Sequence, residues 1–136
     1  MIDKVLIYTD GGARGNPGPA AIGIVIYDSL QKEMQRHKEY IGETTNNQAE
    51  YKALIKALQM ALKMGAQTLV CYLDSELVVK QMQGHYRIRE EGIAMLTTEA
   101  LKLISKFKQV EFIHIPRAKN KLADQLVNEA LDNAGY

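Results

Sequence analysis

Four apolar residues, Val5 to Tyr8, run into Thr9 and Asp10, and the chain then becomes almost all turn: Gly11, Gly12, Gly15, Asn16, Pro17, Gly18 and Pro19. A short apolar run bounded by turn formers reads as a buried strand. Asp10 is thereby placed at or just past the end of a central strand. A carboxylate there is costly to desolvate unless a proton, a partner or a metal compensates it. The glycines that follow let the backbone fold away and leave the carboxylate reachable. An aspartate that merely opens a turn explains an isolated D-G-G equally well, so the rest of the chain has to decide.

The segments that follow limit the architecture. Ala20 to Tyr27, rich in β-branched residues, reads as a second strand. Met34 to Ile41 reads as a third, placed at an edge by Lys38 and Glu39. Short links between the three suggest an antiparallel meander. After a polar break, Gly42 to Asn47, the apolar residues Tyr51, Leu54, Ile55, Leu58, Ala61 and Leu62 recur at helical spacing, which predicts a helix from about Asn47 to Met64. Gly65 ends it. Thr68 to Leu73 lacks polar alternation, as expected of a strand covered on both faces. A short helix, Ser75 to Met82, follows with Asp74 or Ser75 as its cap. Beyond a polar linker, Gln83 to Glu91, come a helix over about Gly92 to Lys106, a strand over Val110 to Ile115, a basic loop from Arg117 to Lys121 and a last helix to Asn133. Right-handed β-α-β crossovers make strands one, four and five parallel in the sheet centre. Ligands of such sheets collect beyond the carboxyl ends of the parallel strands.

The chain has 136 residues and a formal net charge of +1, which fits one ordinary domain, residues 1–136. A protein that holds a phosphate backbone by charge alone is usually more basic. Its one cysteine, Cys71, excludes an internal disulfide, fits a reducing compartment and reads as core from its setting in L-V-C-Y-L. A strand begins within a few residues of the N-terminus, so no signal peptide is expected. No apolar run nears the roughly 20 residues of a membrane helix. A cytoplasmic protein is expected, with no membrane association.

Two carboxyl ends of the parallel strands carry an aspartate, Asp10 and Asp74. If those strands are neighbours, the carboxylates lie side by side, and like charges that close call for something positive between them. Glu50 falls on or near the apolar stripe of the first long helix, in what reads as its first turn. There it is either a buried anomaly or a glutamate stabilised by the helix dipole. Asp124 opens the last helix beside Ala123. Four carboxylates from four segments can converge on one crevice. Oxygen-only ligands of high negative charge suit magnesium or manganese rather than zinc. Two such ions could stabilise the attacking and leaving oxygens of a phosphodiester displacement.

Four blocks now carry a resemblance: T-D-G-G with G-N-P-G-P (Thr9 to Gly12, Gly15 to Pro19), T-T-N-N-Q-A-E (Thr44 to Glu50), Y-L-D-S (Tyr72 to Ser75) and A-D-Q-L-V-N-E-A (Ala123 to Ala130). Together, in this order, they resemble type 1 ribonuclease H over nearly the whole chain. The resemblance implies an α/β (α+β) ribonuclease H-like fold, a five-stranded mixed sheet of order 3-2-1-4-5 with helices on both faces. It implies an endoribonuclease that hydrolyses the RNA strand of RNA–DNA hybrids with two divalent ions, magnesium or manganese, leaving 5′-phosphate and 3′-hydroxyl ends. Asp10, Glu50, Asp74 and Asp124 would be the catalytic, metal-holding acids. Gly12, Asn16, Thr45, Asn46, Asn47, Gln48 and Arg117 would meet the substrate, with Thr45 at a phosphate of the DNA strand. Amides can both donate to and accept from a 2′-hydroxyl, the group that distinguishes RNA from DNA. Capping of the helix by Asn46 or Asn47 is the plainer reading of those two.

Two departures from the family's pattern stand out. The extra basic helix of longer members does not fit between Met82 and Gly92, and the chain has no tryptophan. Grip on the hybrid then falls to Lys80, His85, Arg87, Arg89, Arg117, Lys119 and Lys121. The loop before the last aspartate, P-R-A-K-N-K, carries no histidine, while His114 lies inside a strand and reads as structural. Arg117 is the residue best placed to serve the site. The rival readings are a non-catalytic nucleic-acid-binding module, which would tolerate loss of an acid where this chain keeps all four, and a related nuclease for double-stranded RNA. A monomer is expected.

Overall fold

A computed structural model describes residues 3–84 and 91–136. Strands β1 (Lys4–Ala13), β2 (Gly18–Asp28) and β3 (Glu33–Thr44) precede helix α1 (Asn46–Lys63). Strand β4 (Thr68–Leu73), helices α2 (Glu76–Met82) and α3 (Glu91–Ile104), and strand β5 (Gln109–His114) follow. A 3-10 turn, Arg117–Lys119, leads into helix α4 (Lys121–Asn133). The sheet order is β3-β2-β1-β4-β5, with β1–β2 and β2–β3 antiparallel and β1–β4 and β4–β5 parallel. This is the expected topology, and α1 and α4 pack on opposite faces of it.

Alternation along the strands divides the core. Val5 and Ile7 of β1, Ile22, Ile24 and Ile26 of β2, and Leu69, Cys71 and Leu73 of β4 meet Tyr51, Leu54 and Leu58 of α1. Ala21 meets Val127, Ala130 and Leu131 of α4 on the other face. Helix α4 lies over β1, β2 and β3. Strand β4, expected between two layers, is instead half-buried at Tyr72, whose ring stacks on Tyr8 with centroids 4.6 Å apart. Tyr27 meets the Tyr8 edge, so aromatic rings shield this part of the face. Cys71 is fully buried and its thiol is pushed up to about 12 by desolvation, which fits a core residue.

Several boundaries differ from those expected. β1 does not end at Asp10 but runs to Ala13, because Gly11, Gly12 and Ala13 keep their pairing with Ile22, Ala21 and Ala20. Only the β4 side of the ladder stops, at Thr9↔Leu73. β3 absorbs Gly42 to Thr44 of the expected polar break, because β2 is long enough to pair with them. The cap of α1 is Thr45, whose hydroxyl accepts from Gln48 N at 3.2 Å, rather than Asn46 or Asn47. Ser75 caps α2.

Candidate active site

Asp10 and Asp74 each follow the last β1–β4 pair, so the parallel ladder itself sets them side by side. Glu50 reaches them from α1. Its approach depends on Gly11, where a Cβ would lie 2.3 Å from the carbonyl carbon and oxygen of Ala49 and 2.6 Å from Glu50 N. Without that Cβ, the helix backbone rests on the strand, and Gly11 N–H donates to Glu50 Oε1 at 3.3 Å. Glu50 lies past the first turn of α1, which contains no acid, so the dipole does not account for it. On the opposite face Gly23, the partner of Asp10 in β2, admits α4, since a Cβ there would meet Ala123 O at 2.3 Å. That contact seats Asp124 in the first turn of α4.

One oxygen from each of Asp10, Glu50 and Asp74 can be chosen so that all lie within 4.8 Å of one another. Asp124 is outside that set but lines the same crevice and interacts with Asp10. Asp10 is 2% exposed and Glu50 8%. Burial pushes Asp10 up to about 7, with the charges of Asp74 and Asp124 adding to the rise. Burial, then the Asp10 charge, also holds Glu50 well above the usual carboxylate range. Asp10 Oδ1 and Glu50 Oε2 are buried without a hydrogen-bond partner. Among the described residues no ion pair engages any of the four acids. Buried oxygens that repel one another and have no protein cation fit hard divalent ions such as magnesium or manganese.

The crevice holds about 420 Å³ and is also lined by Gly12, Arg14, Asn46, Asn47, Ser75, Leu77, Arg117 and Asn128. Arg117 is exposed at its rim. Behind it, Asn46 N donates to Asn16 Oδ1 at 3.0 Å and Ala13 N to Asn46 Oδ1 at 2.7 Å. Thr44 Oγ1 donates to Gln48 Oε1 at 2.6 Å. These three side-chain oxygens are therefore engaged within the protein, which leaves the N–H groups as their main resource for a ligand. Asn16, Thr45 and Gln48 do not line the crevice themselves. Thr45 is engaged as a cap.

Other expectations are revised. His114 ends β5 exposed to solvent, not built into the core, because the edge strand leaves its last residue uncovered. Lys80 pairs with Glu76 at 2.8 Å. Lys119 lines a separate hollow over Tyr8 and Tyr27, and Lys121 is exposed at the start of α4. His85, Arg87 and Arg89 lie outside the described residues. Sequence reasoning missed Arg14, which bonds Asn128 and the Tyr136 carbonyl and pairs with Asp132 at 2.8 Å. It also missed Gly23 and Asn120. A glycine interrupting the β-branched run A-A-I-G-I-V-I-Y was the available signal for a close backbone approach.

A family profile described as reverse transcriptase-like matches residues 8–130. The first curated relatives are mycobacterial, one of them a bifunctional protein of Mycobacterium tuberculosis, 42% identical over 96% of this chain. The chain spans about a third of their length, 36%. A ribonuclease H of Pseudomonas putida is 33% identical over 97% of this chain and 96% of its own. The crystal structure of ribonuclease H1 from Halobacterium salinarum superposes with a TM-score of 0.94 at 41% identity, covering 96% of this chain and 98% of that one. A ribonuclease H1 solved with an RNA/DNA hybrid superposes with a TM-score of 0.91 at 46% identity, covering 96% of this chain and 98% of that one. Similarity over nearly the whole of the Pseudomonas protein, together with the shared fold and the profile match over most of the chain, makes this chain a member of the ribonuclease H family.

Proposed function

We propose that the protein is an endoribonuclease that hydrolyses the RNA strand of RNA–DNA hybrids with two divalent ions, magnesium or manganese. The observation that carries this reading is the set of three carboxylates whose ligand oxygens come within 4.8 Å of one another and which no ion pair engages among the described residues. Asp10, Glu50, Asp74 and Asp124 would hold the ions. Bound ions would supply charge stabilisation to the attacking water and to the leaving 3′-oxygen. The bond broken is P–O3′, so the products carry 5′-phosphate and 3′-hydroxyl ends.

The chain's own residues supply position. Asn46 and Asn47 line the crevice, and Asn46 has its oxygen committed to Ala13 N. Its free N–H groups would donate to a ribose 2′-oxygen, with Asn16 and Gln48 holding that wall in place. Gly12 offers the strand a side-chain-free surface. Arg117, exposed at the rim, would meet a phosphate. Thr45 as cap orients the amide end of α1 toward a phosphate of the DNA strand. The hybrid in the 46%-identical relative supports this substrate class. We further propose that residues 1–136 form one ribonuclease H domain, monomeric and acting in the cytoplasm, a location suited to a lone buried thiol.

The test is cleavage of an end-labelled hybrid beside matched double-stranded RNA and double-stranded DNA, with and without magnesium. Magnesium-dependent cuts in the RNA strand of the hybrid are expected. Preference for double-stranded RNA would move the substrate, and cleavage of duplex DNA alone would overturn the assignment.

A further inference from the structure

Asn120 precedes α4 at its cap position, yet its side chain makes no capping hydrogen bond. Asparagine is among the best caps, so forgoing that bond leaves a helix N–H to find another partner. The amide instead turns back into the sheet. Nδ2 donates to Thr9 O at 2.8 Å and to Asp74 Oδ2 at 2.9 Å. Both partners are acceptors, so the NH2 end of the amide must face them; the reversed rotamer would set Oδ1 against a carbonyl and a carboxylate. The residue is 2% exposed, and its Oδ1 is buried without a partner. Burying a polar atom unpaired is unfavourable, and here it accompanies the two bonds the other end makes.

The place of those bonds matters. Thr9↔Leu73 is the last rung between β1 and β4, and the acids Asp10 and Asp74 follow directly. Asn120 bridges the two strands where the ladder has stopped. Its own carbonyl accepts from Asp124 N at 3.1 Å, which continues the link into α4. One neutral residue thus bonds the carboxylate of Asp74 and the backbone next to Asp10 through its side chain, and the turn that carries Asp124 through its main-chain carbonyl. A lysine here would compete with a divalent ion for the acids; an amide anchors one oxygen of Asp74 and adds no charge.

We propose that Asn120 is a positioning residue, holding Asp74 in register with Asp10 so that the acidic set can take a divalent ion. The inference rests on the nuclease reading above. Residues that orient metal ligands typically change metal affinity or activity by about 10–100-fold when removed.

The experiment uses Asn120→Ala and the isosteric Asn120→Asp. Each is followed by thermal unfolding against manganese and magnesium concentration, and by kcat and KM on a hybrid. In the wild type, divalent ions should raise Tm. In Asn120→Ala the ion concentration for half-maximal Tm gain should rise about 10-fold or more, with kcat falling by a similar factor and KM for the hybrid within about 3-fold of wild type. Asn120→Asp should be worse than alanine at neutral pH, because it faces two acceptors with a third. A merely structural role lowers Tm equally with and without ions and leaves the half-maximal concentration unchanged; that result, or an Asn120→Asp variant equal to wild type, overturns the proposal. If the wild type itself shows no ion-dependent Tm gain, the nuclease reading fails instead. Should alanine not fold, Asn120→Asp measured across pH carries the same comparison.

Discussion

Ile7 and Asp10 lie three residues apart on one strand and are almost equally sequestered, at 0% and 2% exposure. Their surroundings could hardly differ more. Ile7 sits among the isoleucines of β2 and the leucines of α1, where burying such a side chain stabilises by about 1.5–3 kcal/mol. Asp10 sits among carboxylates with one oxygen unpartnered. The same strand thus stabilises the fold at Ile7 and destabilises it three residues on, at Asp10, toward its carboxyl end. The unfavourable end is where an ion can be taken up, because only a group absent from the chain relieves it.

Replacing Asp10 should separate the two regions most sharply. Asp10→Asn is expected to lower hybrid cleavage by at least about 100-fold. It should also raise Tm in the presence of a chelator, since the buried charge is gone. Calorimetry beside the cleavage assay checks both; a variant that cleaves normally would break the comparison. Next in size is Gly11→Ala. The added Cβ would meet the α1 backbone at 2.3 Å, so the helix must shift, at about 3 kcal/mol of stability. Because that contact delivers Glu50, denaturant unfolding and ion-dependent Tm gain should both suffer.

Acid titration of the ion-free protein gives a third test. Asp10 is raised from its ordinary range to about 7 in the folded state, so between pH of about 4 and 7 the native form holds a proton that the unfolded form has lost. Stability must then fall as pH rises through that window, by at most about 1.4 kcal/mol per pH unit for one proton, and is regained below it. Manganese at saturating concentration should flatten or reverse the slope. Stability that instead rises from pH 4 to 7 in chelator would place the buried acids in a different balance. The smallest effect belongs to the apolar end. Ile7→Val should cost about 1 kcal/mol and leave the ion dependence of Tm untouched, as urea unfolding with and without manganese would show.

The legible part of this molecule was the part governed by neighbours along the chain. Periodicity from Tyr51 to Leu62 located α1, and the apolar run of β4 followed by Asp74 located one acid within a residue. Misreadings arose where a partner strand overrode a local signal. Gly11 to Ala13 look like turn but pair with Ala20 to Ile22, and Gly42 to Thr44 look like a break but pair with Gly18 to Ala20. Asn46 and Asn47 offered themselves as caps, and Thr45, with its hydroxyl 3.2 Å from Gln48 N, took the position.

What the amino-acid order alone determined is the succession of strands and helices, the parallel placing of β1, β4 and β5, and the four acids that such a succession brings to one end of a sheet. These follow from backbone sterics and from the alternation of apolar residues, which act over a few positions. Only the folded chain decided how closely the acids gather. Gly11 had to meet α1, Gly23 had to meet α4, and Asn120 had to choose Thr9 and Asp74, 111 and 46 positions away, over the helix it precedes. A side chain's hydrogen-bond partner is settled by which acceptors packing leaves within reach, and no local pattern encodes that.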